Sequence, residues 1–152
     1  MKRLSVLVAC MILLLAAAAH AAGAEADAIV GEWFTDGDES VVEIARVGDL
    51  YSGKIVWLKE PKDEDDNDKV DQYNPDESKR DQAIIGLEIV RDFKYDKRSR
   101  WSGGTIYDPE AGKTYSCKAK LKKTELHLRG YIGVSLLGRT TVWVRNEGNL
   151  PE

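Results

Sequence analysis

From Ile29 onward the chain alternates apolar and polar residues in short segments bounded by Gly, Asp or Pro. A period of two belongs to strands with one buried face, and helical periodicity is nearly absent. Residues 29–34 open the series, and residues 41–47 follow with Val42 and Ile44 on one face and Glu43 on the other. Gly48-Asp49 is a two-residue hairpin signal. Residues 50–58 place Tyr51, Gly53, Ile55 and Trp57 on one face, with Ser52 and Lys54 opposite. Residues 59–82 are polar and lack any regular pattern, which inside a compact domain calls for an explanation.

Residues 83–93 fit a strand or a turn leading into one, because the run Ile84-Ile85-Gly86-Leu87-Glu88-Ile89-Val90 satisfies both templates. A charged turn at 96–100 precedes residues 101–107, where Gly103-Gly104 signals a bulge or sharp bend. Asp108-Pro109-Glu110-Ala111-Gly112 reads as a turn. Tyr115, Cys117, Ala119 and Leu121 then alternate with Ser116, Lys118 and Lys120, and Leu126, Leu128, Gly130 and Ile132 alternate with His127, Arg129 and Tyr131. Residues 139–145 end the series before a polar tail. About eight strands in up-and-down order predict a single closed antiparallel β-barrel, since closure removes both exposed sheet edges. The expected fold class is therefore all-β, with one long polar loop.

Charge and composition then exclude several functions. In 152 residues, 22 Lys and Arg face 26 Asp and Glu, so the electrostatic footprint of a nucleic-acid binder is missing and no such partner is expected. Two His and two Cys leave no Cys/His zinc constellation and few parts for a nucleophile and its base. Accordingly no cofactor and no enzymatic activity are expected. Met1-Lys2-Arg3, an apolar run to Ala19 and the small-x-small sites after it form the pattern of a secretory signal peptide, cleaved after Ala21 or Ala24. Residues 1–24 are then lost, and residues 25–152 form a barrel domain that is periplasmic or secreted. The run is short for a membrane anchor and no other segment could span a bilayer, so an integral membrane protein is not expected. Leu7-Val8-Ala9-Cys10 is similar to a lipobox, but cleavage there would leave residues 11–19, an apolar run, on the mature chain. Removal of the leader takes Cys10 with it, so Cys117 has no partner for an internal disulfide.

Gly31-Glu32-Trp33 near the mature start and Trp143-Val144-Arg145 at the end of the last strand resemble the signature of lipocalin-like barrels. The resemblance implies that Gly31 opens the first strand, that Trp33 plugs the closed end, and that Arg145 packs across it as a cationic cover. The chain also resembles a family of small exported bacterial proteins of unknown function with a lipocalin-like fold. The matching residues run through Gly53-Lys54-Ile55-Val56-Trp57-Leu58, Asp71-Gln72-Tyr73-Asn74-Pro75 with Arg80, Ile85-Gly86-Leu87, Trp101-Ser102-Gly103-Gly104-Thr105-Ile106-Tyr107-Asp108-Pro109, Gly112-Lys113-Thr114-Tyr115 and Leu128-Arg129-Gly130-Tyr131-Ile132-Gly133. The resemblance implies fold and export, and no activity. This chain departs from it at Asp81-Gln82, where the family often carries a second basic residue after Arg80.

Three candidate sites follow. In the acidic run, Asp63, Asp65, Asn67 and Asp71 fall at oxygen-ligand positions of an EF-hand loop, but Asp68 stands where Gly is needed and Asn74 where the bidentate Glu should be. A solvated charge run accounts for it better than a calcium site. Asp71, Asn74 and Arg80 form a polar loop candidate at the barrel's mouth, against a reading in which Asp71 and Asn74 cap local backbone and Arg80 pairs with Asp76 or Glu77. The third is the lumen, to which alternation assigns Tyr51, Ile55, Trp57, Tyr115 and Leu128. Eight-stranded barrels either pack solid or hold one small ligand. The function expected is an exported, non-enzymatic binding protein for a small apolar or amphipathic molecule in the lumen. The alternative is an envelope interaction or stress-related protein that uses its outer surface or the loop at 59–82.

Overall fold

The computed structural model describes residues 23–148. The leader expected at 1–22, with its site after Ala21, lies outside them, as do residues 149–152. Eight strands follow in order: β1 (Gly31–Phe34), β2 (Ser40–Val47), β3 (Leu50–Leu58), β4 (Glu88–Tyr95), β5 (Arg100–Asp108), β6 (Lys113–Lys122), β7 (Glu125–Tyr131) and β8 (Arg139–Arg145). Each pairs antiparallel with the next and β8 returns to β1, so the sheet closes as an up-and-down barrel with no free edge. The ambiguous run at 83–93 divides into a turn and β4, with Ile84, Leu87 and Ile89 all buried. Among the described residues no helix is long and apolar enough to cross a membrane.

Two bulges shape the wall. At Gly103-Gly104 the register slips, Trp101 pairing with Ala119 but Gly104 with Cys117, and a Cβ on Gly104 would collide with Phe93 and the Arg91 carbonyl. Glycine is what lets β4 and β5 approach there. The second slip, between Val41 and Val42 of β2, puts Trp57 opposite Val41 while Ile55 stays opposite Val42. A one-residue slip sends the side chains beyond it to the other face. Trp57 therefore packs edge-on against Phe34 at 6.3 Å, and with it shields Val41 on the outside of the barrel.

The two halves of the lumen differ. At the end holding the β2–β3, β4–β5 and β6–β7 turns, Trp33, Val42, Ile44, Tyr51, Phe93, Trp101 and Leu126 fill the interior, each with 1% exposure or less. Trp33 donates its indole N–H to the Ile29 carbonyl at 2.9 Å. Arg145 lies over its ring, 4.1 Å from the centroid, and donates to the Val30 carbonyl at 3.0 Å and to that of Ala28. Gly31 has φ +127° and a Cβ there would stand 2.8 Å from the guanidinium, so the glycine both takes an unusual backbone conformation and clears room for Arg145.

Replacing Trp33 by Ala should lower stability by about 3–5 kcal/mol, as for other buried aromatics. Urea titration measures it; a loss below about 1 kcal/mol would mean that the plug does not bear on the barrel's closure.

Candidate functional site

At the opposite end the barrel is hollow. A cavity of ≈ 1320 Å³ occupies the mouth and the upper lumen. Ile55, Ile89, Ile106, Tyr115, Leu128 and Trp143 make its apolar walls. The space exists because small residues sit among large ones: Cys117 and Gly130 face the cavity, and a Cβ on Gly130 would meet only ordinary contacts with Tyr115 and Ile106. Acidic side chains, Asp36, Glu39, Glu60, Asp63, Asp108 and Glu110, outnumber Lys69 and Arg139 around the opening.

The loop at 59–82 is pinned to one side of this mouth. Its anchor is Asp71, a fully buried carboxylate that accepts from the Tyr107 hydroxyl at 2.7 Å and from Asn74 Nδ2 at 2.6 Å. Its own amide donates to the Gln82 carbonyl, closing the loop's base. A buried carboxylate is tolerated only when hydrogen-bonded, so this arrangement specifies one loop conformation. Gly112, at φ +61° in the β5–β6 turn, lies so close to the Tyr73 carbonyl that no Cβ fits between them. Burial and the bond to Asp71 push the Tyr107 hydroxyl up to about 12.

A family model, that of an uncharacterized protein conserved in bacteria (DUF2147), matches residues 31–145. The chain belongs to the DUF2147 family. The matched span runs from Gly31, beside the plug, to Arg145, its cover, and so contains the whole barrel. No curated protein matches. Among solved structures, the DUF2147 barrel is similar to protein HP1028 from the human pathogen Helicobacter pylori, which belongs to the lipocalin family. The TM-score is 0.69 at 21% identity, over 79% of this chain and 84% of that one. That similarity speaks for a lipocalin-like fold.

The candidate residues of this DUF2147 barrel separate into groups. Gly31, Trp33 and Arg145 meet at the closed end. Ile55, Tyr115 and Leu128 line the cavity, whereas Tyr51 and Trp57 do not. Tyr51 belongs to the packed end, bonding Asp27 at 2.7 Å and lying edge-on to Trp101, and burial with that bond pushes its hydroxyl up to about 12. Trp57 is turned outward by the β2 bulge, a device that alternation alone does not reveal. Ile132, expected inside, lies past the end of β7 at the mouth and is 75% exposed.

Asn74 serves the loop itself, accepting from the Asp76 amide, and Arg80 holds the Asn74 carbonyl and pairs with Glu77. In the acidic run, Asp63 accepts from the amides of Asp65 and Asn67, bonds that lower its pKa, while Asp71 is taken up by Tyr107. Among the described residues no three His, Cys, Asp or Glu side chains are grouped to hold a metal. Sequence reasoning missed Tyr107 as the partner of Asp71, since 36 residues separate them. The available signal was chemical: an aspartate within an irregular loop, if buried, needs a donor from elsewhere.

Tyr51 and Tyr107 remain protonated in the fold at pH values where unfolded tyrosine ionises. The stability that they contribute is thus present below about pH 10 and lost as pH rises towards about 12. Thermal melts across this window should show a falling Tm. Tyr107→Phe, which leaves Asp71 short of a donor, should start about 1–3 kcal/mol less stable and lose less over the same window. An unchanged alkaline limb in that variant would contradict the Tyr107–Asp71 assignment.

Proposed function

We propose that this protein is an exported, non-enzymatic binding protein that holds a small apolar or amphipathic molecule in the upper lumen. The observation that carries the reading is the cavity itself, ≈ 1320 Å³ with apolar walls and a polar rim. Its walls suit hydrocarbon or ring surfaces, and its rim suits a polar end left near water. The lower half, filled by Trp33, Phe93 and Trp101, supplies a rigid floor.

The side chains near the cavity favour binding over catalysis. Burial pushes the Cys117 thiol up to about 12, which leaves no thiolate to act as a nucleophile near neutral pH. His127 is paired with Glu125 at 3.1 Å and stands outside the cavity lining. Asp71 is committed to Tyr107 and Asn74. Export rests on the leader pattern of the first residues.

Native mass spectrometry of the protein purified from its own cells, without solvent extraction, should show a small excess mass that disappears on denaturation. Leu128→Glu, which places a charge on the cavity wall, should remove that mass while the barrel stays folded. A bare polypeptide mass, together with no uptake of apolar fluorescent probes, would refute the reading.

A further inference from the structure

The connection between β7 and β8 presents an unusual surface. Of its six residues from 132 to 137, Ile132, Val134, Leu136 and Leu137 are 75%, 61%, 84% and 83% exposed. Fraying does not explain this exposure, because the backbone beneath is held. Arg129 donates to the carbonyls of Ser135 at 2.6 Å and Leu136 at 2.8 Å, and to Thr140 Oγ1 at 3.0 Å; Lys118 Nζ reaches Ser135 Oγ at 3.0 Å. The four apolar side chains are displayed together from a braced loop, and contiguous apolar surface of this kind marks an interaction site.

The wall beside that loop is basic. Cross-strand pairing sets Lys118 opposite Arg129, and Lys120 opposite both Arg100 and His127, with Lys122 next along β6. Arg100, Lys118, Lys120, Lys122 and Arg129 all border one groove, where Asp96 is the sole acidic side chain. Elsewhere most cations face a carboxylate, as in Lys54–Glu43, Lys59–Glu39, Lys62–Asp68 and Lys69–Glu60. Among the described residues none of the five is ion-paired, and the one carboxylate beside them in β7, Glu125, pairs with His127. An uncompensated basic stripe in a chain of net charge −4 is a strong segregation of charge.

We infer that the β7–β8 loop and the basic wall of β5, β6 and β7 form a docking surface for a bilayer rich in anionic phospholipid. The leucines enter the headgroup boundary while Lys and Arg side chains reach the phosphates, the combination that peripheral attachment requires. A protein partner fits less well, since interface cores are depleted of lysine and this patch has three. The acidic loops at 35–39 and 59–82 lie elsewhere on the rim and are repelled from the same surface. Ile132 and Leu137 also line the cavity mouth, so docking brings that mouth to the lipid. The inference stands whether or not the lumen holds a ligand.

The test is flotation with vesicles, using the chain from Glu25 onward, within which the closed barrel lies whole. The protein should float with phosphatidylglycerol-containing vesicles, far less with pure phosphatidylcholine, and less as salt rises. Lys120→Gln with Lys122→Gln should weaken partitioning about tenfold. Lys62→Gln with Lys69→Gln, an equal charge change at ion-paired sites, should leave it nearly unaltered. Leu136→Asp with Leu137→Asp should abolish it without loss of near-ultraviolet dichroism, since both side chains are already exposed. A Trp at position 136 should be quenched by brominated acyl chains. Absence of flotation, equal loss in the two lysine pairs, an unquenched Trp, or a protein dimer dissolved by the leucine substitutions would each overturn the inference.

Discussion

The barrel depends on how β1 meets β8. That seam has only two register pairs, Trp33 with Arg145 and Phe34 with Val144, because β1 is four residues long. So short a ladder supplies little by itself. Arg145 extends it by crossing the plug: its guanidinium lies on Trp33 and bonds the Val30 carbonyl of the segment that leads into β1. Burial draws the Arg145 pKa below its ordinary value, yet the planar cation keeps both its ring contact and its carbonyl acceptors. Gly31 completes the device by having no side chain.

Closure at one end leaves freedom at the other. Trp33, Tyr51, Phe93 and Trp101 fill the lower lumen, and Tyr51 and Trp101 anchor the preceding segment through Asp27 and the Ala26 carbonyl. With the floor built from large rings, the upper lumen can be lined by Ile55, Tyr115, Cys117, Leu128 and Gly130 and remain hollow. The connections at that end have distinct characters. The 59–82 loop is fixed by one buried carboxylate and a glycine contact, while the β7–β8 loop is fixed by Arg129 and turns its apolar side chains outward. One side of the mouth is acidic, and the wall below the other is basic. A rigid barrel with a polarised rim is the arrangement from which both the lumen reading and the surface reading grow.

The order of the strands, the closure, and the bulge at Gly103-Gly104 were legible along the chain, because alternation and turn residues are local signals and an antiparallel meander has few alternatives. So were the apolar walls contributed by Ile55, Tyr115 and Leu128. Tertiary structure alone decided three matters. It set the face of Trp57, since a single bulged residue in β2 reverses everything beyond it while leaving the hydrophobic pattern of β3 unchanged. It divided the lumen into a packed and an empty half, which depends on how side chains from eight strands share one volume. And it joined Asp71 to Tyr107 and Arg129 to its loop carbonyls, because a hydrogen bond forms where the fold brings donor to acceptor, and periodicity carries no information about that distance.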